Sequence, residues 1–273
     1  MSALTTDNVR TLISEECLLH LDTLEVFPEI ESTNSYLLDQ PCPTPGRYRV
    51  ALAEHQTAGR GRMNRSWISP PSTGLCMSMA FTFETMPENF PSLSLAIGTG
   101  IAQALERVGA HGIAVKWPND IVSQDGKLGG ILSEVVPSKG GGVTVVVGVG
   151  LNVDFKNLDT SVAIDSSIGR PGDLASCCDK LPSRAAIAAA LVACLWETMV
   201  HFERDGFSPF HESWLKYDWL RGHEVTIETA AGLDAGIADG VDIDGALLVN
   251  TDGNRRRFTS GSVILGKQAG EHP

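Results

Sequence analysis

Apolar residues recur along this chain with two different periods, and where each period holds predicts what the chain folds into. Leu93, Ile97, Ile101, Leu105 and Val108 stand three or four residues apart, the spacing of one helix face, and the run stops at Gly109. A longer helix is predicted over residues 183–204 and a shorter one over 209–217. Ser32-Thr33-Asn34 before Tyr36-Leu37-Leu38 reads as an N-cap opening a short helix. Between these the period falls to two: Leu75, Met77, Met79, Phe81 and Phe83 alternate with Cys76, Ser78, Ala80 and Thr82, which predicts a strand with one buried face. Apolar runs at 49–53, 115–117, 129–136 and 143–149 predict further strands. Asp125-Gly126 is a hairpin signal, and Gly140-Gly141-Gly142 serves as a second turn. Connections this short cannot carry parallel crossovers, so the pairing should be mostly antiparallel. After about Leu220 the helical period disappears, and short runs at 224–228, 246–250 and 257–259 alternate with Gly and Asp turns. The expectation is an α+β fold. A central mixed, mostly antiparallel sheet with flanking helices should occupy residues 1–220, with 1–28 as a short N-terminal extension, followed by a small barrel-like β domain at 221–270.

Composition narrows the function classes. A chain of 273 residues buries a substantial core as one large domain, or one plus a small one. With 33 acidic against 21 basic residues the net charge is −12, which argues against a nucleic-acid partner, since binding a phosphate backbone requires clustered Lys and Arg. Small anions need only a local cationic patch. Glu15 and Glu16 interrupt any secretory h-region. The apolar run at 185–196 is shorter than a bilayer span and is flanked by Arg184 and Glu197, so no membrane role is expected. The six cysteines lack CxxC spacing, and the adjacent Cys177-Cys178 pair has no metal-site spacing, so buried free thiols in a cytoplasmic setting are expected.

Three stretches carry candidate chemistry. In residues 54–67, Arg60, Arg62 and Arg65 fall within six positions of an acidic chain, alternating with Gly59 and Gly61 and followed by Trp67. Glycines let the backbone approach a ligand, guanidinium forks face an anion, and an indole stacks on a flat ring. An arbitrary Gly/Arg pair is better read as a solvated loop, but this combination favours an anion-holding one. The second stretch is Lys116-Trp117-Pro118-Asn119-Asp120. Alone it is an ordinary turn, yet Lys127 follows past the Asp125-Gly126 hairpin, which can return it toward Asn119 and Asp120. The third, Gly148-Val149-Gly150-Leu151-Asn152, is weak by itself, because glycines in strands often only mark bulges. Neither a P-loop nor a Rossmann glycine fingerprint is present, so a nucleotide must be held by another device.

Taken together, GRGRxxRxW at 59–67, KWPND at 116–120, KLGGIL at 127–132 and GxGxNV at 148–153 resemble, in order and separation, the catalytic domain of biotin–protein ligases. Ser32-Thr33-Asn34 also fits, and Glu224, Val225 and the Gly-Ala-Leu-Leu at 245–248 resemble that family's C-terminal SH3-like domain, so the likeness runs from about Pro28 through the tail. The resemblance implies a catalytic domain of the class II aminoacyl-tRNA synthetase type. It implies that Ser32, Thr33, Asn34 and Gln56 line a biotin pocket, with Arg60, Gly61 and Arg62 in the loop that closes over it and Lys127 on the carboxylate. Arg60, Arg62, Arg65, Trp67, Asn119, Lys127 and Asn152 are the implied ATP or adenylate contacts, and Lys127, Arg62 and Asp120 the implied catalytic set. The implied reaction joins biotin and ATP as biotinyl-5′-AMP, then passes biotin to a lysine of a biotin carboxyl carrier domain, with Mg²⁺ carried mainly by the ATP phosphates rather than by a protein cage.

Departures from the family pattern matter as well. About thirty residues precede Ser32, fewer than the roughly sixty of the winged-helix domain some relatives carry, which implies a monofunctional ligase without DNA-binding duty. Met63 and Asn64 stand where relatives often have further Gly or Arg. The competing readings are a lipoate–protein ligase or octanoyltransferase of related fold and a non-catalytic biotin sensor. Arg255-Arg256-Arg257 can be a dock for an acidic carrier but is better read as a solvated turn. The edge strands of such a sheet are able to pair two copies into a homodimer.

Overall fold

Several helices of this protein start behind a Ser or Thr whose side chain caps the first turn. The computed structural model describes residues 4–137, 142–156, 171–230, 232–251 and 253–266. Helix α1 (Thr6–Arg10) opens on Thr5 and α2 (Glu15–His20) on Ser14, each side-chain oxygen accepting from an amide of the first turn. Strand β1 (Leu21–Phe27) follows, then α3 (Thr33–Asp39), whose N-cap is Ser32. Next come β2 (Tyr48–Ala53), β3 (Gly74–Phe83), α4 (Leu93–Arg107), β4 (Ala114–Lys116), β5 (Asp120–Ser123), β6 (Gly126–Pro137) and β7 (Val143–Asn152). Helix α5 (Arg184–Asp205), capped by Ser183, and α6 (Ser208–Tyr217) complete the larger part. Of the predicted glycine turn, Gly140 and Gly141 lie outside the described residues.

The large sheet has seven strands in the order β1-β2-β3-β7-β6-β5-β4. Pairing is antiparallel throughout except for β1, which runs parallel to β2. Residues 1–28, expected as a short extension, thus supply two helices and an edge strand. Each element is too short for its periodicity to stand out in the sequence. A second expectation is corrected at β3: all ten residues are buried, not one face. Its large residues face the main core with α4 and α5, and its small ones face α3, where Leu37, Ala51, Ala80 and Val146 form a separate cluster. The alternation recorded side-chain size rather than polarity. Helix α5 is long and apolar enough to cross a membrane by composition alone, but in this fold it packs into the core against α4, β3 and α1.

Beyond the junction at Asp218, β8 (Glu224–Thr229), β9 (Gly232–Val241), β10 (Leu247–Thr251), β11 (Asn254–Phe258) and β12 (Ser262–Leu265) form a five-stranded antiparallel sheet ordered β11-β10-β9-β8-β12. Strand β9, rich in Gly, Ala and Asp, has weak strand propensity and is held by neighbours on both sides. Val225, Ile227, Leu247 and Val249 belong to the same buried cluster as the large sheet's core. Hydrogen bonds join the two parts: Trp117 Nε1 donates to the Gly245 carbonyl at 3.1 Å, the Trp219 amide donates to the Val115 carbonyl at 3.0 Å, and His211 Nε2 lies 2.8 Å from the Val241 carbonyl oxygen. Gly245 sits at φ +84°, and a Cβ there would stand 2.6 Å from Ser92 Cβ, so only glycine fits. The KWPND segment is thereby tied to the tail sheet.

Candidate active site

A cavity of about 450 Å³ opens where α3, the 59–67 loop, the β4–β5–β6 hairpins and the edge of the tail sheet meet. One end is a chain of polar groups. Thr33, buried at the start of α3, donates its amide to Gln56 Oε1 at 2.8 Å, and its hydroxyl lies 3.0 Å from the same oxygen and 2.7 Å from Ser78 Oγ. Ser78 donates to Asn34 Oδ1 at 2.5 Å, and Asn34 Nδ2 donates to Glu134 at 2.9 Å. Cys76 stands in the same wall, and burial pushes its thiol up to about 11, so it stays protonated and is a poor nucleophile toward an activated acyl group.

The 59–67 loop forms the roof. It is closed by its own backbone: the Trp67 amide donates to the Gly59 carbonyl at 2.9 Å and the Gly61 amide to the Arg65 carbonyl at 2.7 Å. Met63 and Asn64 both adopt positive φ, a conformation that costs Met more than it would cost a glycine. The guanidinium of Arg60 forks onto Glu134, with Nη1–Oε2 3.1 Å and Nη2–Oε1 2.7 Å, while Arg62 Nη1 donates to Asn119 Oδ1 at 2.9 Å. Burial lowers the affinity of Arg62 for its proton; nearby Asp120 opposes this and Arg65 adds to it. Trp67 rests on Gly150, where a Cβ would fall 2.3 Å from the indole ring.

The other end is cationic. Lys127 Nζ stands 2.7 Å from Asp120 Oδ1, because the β5–β6 hairpin lays Val122 opposite Lys127 and a register shift next to it turns both side chains to the cavity. Gly130 lies beneath this pair, where a Cβ would stand 3.6 Å from Lys127 Nζ and 3.8 Å from Asp120 Oδ1. Half-buried Lys116 lies beside them; desolvation lowers its pKa, with Asp120 raising it and Lys127 lowering it further. Two lysines and Arg62 around one carboxylate leave net positive charge where an anion would sit. Asn119 is locked, its Nδ2 donating to the Ile131 carbonyl at 2.8 Å.

Most of the residues singled out in the sequence therefore line one cavity: Ser32, Thr33, Asn34, Gln56, Arg60, Gly61, Arg62, Arg65, Trp67, Asn119, Asp120 and Lys127. Asn152 does not. Its amide donates to the carbonyls of Lys127 and Gly172 behind the wall, so it holds the hairpin that carries Lys127. Sequence reasoning missed Lys116, although it stands inside KWPND, and Ser78, one of the small residues of β3. It also missed Glu134, whose only signal is an acid inside an apolar strand, and the rim formed by Glu228 and Ser262 through Leu265 of the tail. Ser262 Oγ reaches Met63 Sδ at 3.6 Å, so the tail sheet touches the loop. Among the described residues no three His, Cys, Asp or Glu side chains converge as a metal site.

Comparison with known proteins gives the same arrangement a family. The model described as the biotin/lipoate A/B protein ligase family matches residues 26–152, and that described as the biotin protein ligase C terminal domain matches residues 222–266. The bifunctional ligase/repressor BirA of Escherichia coli (strain K12) is 34% identical over 262 residues, 94% of this chain and 79% of that protein. The biotin–[acetyl-CoA-carboxylase] ligase of Mycobacterium tuberculosis is 30% identical over 251 residues, 88% of each. A solved biotin protein ligase from Aquifex aeolicus, in complex with biotin and ATP, is similar with a TM-score of 0.74 at 27% identity, over 90% of this chain and 99% of that one. With its glycine–arginine roof over a cavity polar at one end and cationic at the other, this chain belongs to the biotin protein ligase family.

Proposed function

We propose that this protein joins biotin to ATP as biotinyl-5′-AMP, with release of pyrophosphate, and then passes the biotinyl group to a lysine of a biotin carboxyl carrier domain. The observation that carries the reading is a single cavity with hydrogen-bonding groups at the α3 end and Lys116, Lys127 and Arg62 at the other. A neutral ureido ring suits the first and a carboxylate beside a phosphate suits the second. Ser32, Thr33, Asn34 and Gln56 bind the acyl group. Lys127 first meets the biotin carboxylate and then the acyl-phosphate oxygens, and Lys116, Arg62 and Arg65 oppose the charge on the phosphates. Carboxylate and triphosphate repel each other, so a preorganised cationic site lowers the barrier most where they meet. Trp67 and Asn119 border the nucleotide; Asn152 acts through Lys127. Mg²⁺ brought in with the triphosphate would supply further charge neutralisation, in keeping with a wall that offers Asp120 already paired to Lys127. The roof excludes water from the mixed anhydride.

In the second half the acceptor lysine must lose a proton, and Asp120 is the carboxylate in place to take or orient it. Asp120→Asn should slow biotin transfer to the carrier more than it slows pyrophosphate release; equal slowing would remove that role. Transfer of labelled biotin to a carrier domain, with lipoate and octanoate as competing acids, tests the reading. A lipoate-specific enzyme would release pyrophosphate with lipoate alone, and a sensor would bind biotin without labelling the carrier. The acidic net charge of −12 supports a ligase without nucleic-acid binding, checked by a salt-dependent DNA shift.

A further inference from the structure

Among the described residues, Glu134 is a carboxylate that touches both the polar end of the cavity and the roof. It stands on β6, half-buried, and accepts from Asn34 Nδ2 at 2.9 Å while both its oxygens accept from Arg60. A carboxylate only accepts, so the end of the Asn34 amide turned toward it is the NH₂. The carbonyl is then turned toward Ser78, whose hydroxyl donates at 2.5 Å. Having given its single hydrogen, Ser78 Oγ accepts from the Thr33 hydroxyl 2.7 Å away. The Thr33 hydroxyl thus shares its single hydrogen between Ser78 Oγ and Gln56 Oε1, 3.0 Å away, which also accepts from the Thr33 amide. At the cavity surface Thr33 Oγ1 is left as an acceptor, which fits a ring N–H and rejects a ring carbonyl. Asn34 is seated against the bare backbone of Gly148, where a Cβ would fall 2.2 Å from its Oδ1.

We infer that Glu134 is a positioning residue. Through Asn34, Ser78 and Thr33 it sets the donor and acceptor sense of the acyl pocket, and through Arg60 it latches the roof over the same pocket. The inference rests on the biotin ligase reading. One group thus links recognition of the acid to closure: anything that turns Asn34 also loosens the acceptor on which Arg60 rests. A buried chain of this kind, satisfied at every link, is rigid, and it is broken by changing the one member that cannot donate.

Glu134→Gln in the full chain is the test. Glutamine keeps the shape but can present an NH₂ to Asn34, so the chain loses its direction and Arg60 loses its fork. The KM for biotin, read by pyrophosphate release, should rise at least about 10-fold, the factor that 1.4 kcal/mol represents. The KM for ATP should rise clearly less than that for biotin, since Glu134 meets the nucleotide end only through Arg60 and the roof. Trypsin should cut the roof after its arginines faster than in the wild type. A biotin analogue methylated on the ureido nitrogens has no N–H to offer, so its weak binding should be the same in both proteins. An unchanged biotin KM in Glu134→Gln beside normal wild-type activity overturns the inference alone. So does an equal rise for biotin and ATP, which is the mark of general loosening. Absence of biotin-dependent pyrophosphate release in the wild type overturns the ligase reading and this inference with it.

Discussion

Two clusters of three arginines stand at opposite ends of this chain, and the fold uses them in opposite ways. Arg60, Arg62 and Arg65 sit in a glycine-bearing loop with two positive-φ residues, over a cavity, and Arg62 is desolvated enough to lower its proton affinity. Arg255, Arg256 and Arg257 lie on strand β11, exposed, and each meets an aspartate of its own sheet: Asp239 at 2.7 Å, Asp234, and the pair Asp242 and Asp244 at 2.5 and 2.6 Å. Arg256 also covers the Phe258 ring at 5.4 Å. The tail cluster is neutralised by aspartates of β9 and the β9–β10 turn, whereas the roof cluster surrounds a space with its charge only partly answered. Local charge density is thus no guide to an anion site; surplus charge beside a cavity is.

The contrast can be broken from its strong side first. Lys127→Ala should lower biotin-dependent pyrophosphate release about 10²- to 10³-fold, the usual cost of removing one preorganised charge from a reacting centre. Arg62→Ala should cost about 10- to 100-fold in the same assay, because its charge is buried and its hydrogen bond to Asn119 anchors the roof. A smaller effect is expected at the junction joining the two regions. Burial raises the Asp218 carboxyl to about 6, and its Oδ2 is buried with no partner, so folding takes up a proton there between about pH 4 and 6. The sign follows: this group's contribution is fully favourable below its unfolded pKa and is lost as pH rises through about 6. Asp218→Asn should therefore raise the thermal midpoint at pH 8, by on the order of 2 kcal/mol in stability, and leave it unchanged near pH 4. The smallest effect is at the tail: Arg256→Ala should change activity less than about 2-fold and the midpoint by no more than about 2 °C. A large activity loss there would erase the distinction between the clusters.

How far the molecule could be read from its sequence follows the same division. Helices α4 and α5 and the β5–β6 hairpin were legible because period, cap and turn residues agree over a long enough run. The roof was legible because its glycines, arginines and tryptophan are adjacent in the chain. What escaped depends on long-range packing: β1, recognisable only beside β2, and β3, whose two buried faces look like an alternation of polarity when they alternate in size. Asn152 was read as a ligand contact from its motif, yet the carbonyls of Lys127 and Gly172 claim its amide, and neither is near it in sequence. Glu134 escaped for the mirror reason: it meets residues 100 and 74 positions away.

The central claim is that the cavity activates biotin with ATP, and pyrophosphate release by the purified chain given ATP, Mg²⁺ and one acid at a time tests it most directly. The account predicts release that depends on biotin, falls in Lys127→Ala and Arg62→Ala, and persists in Arg256→Ala. Release with lipoate or octanoate but not biotin, or equal loss in all three variants, would contradict it.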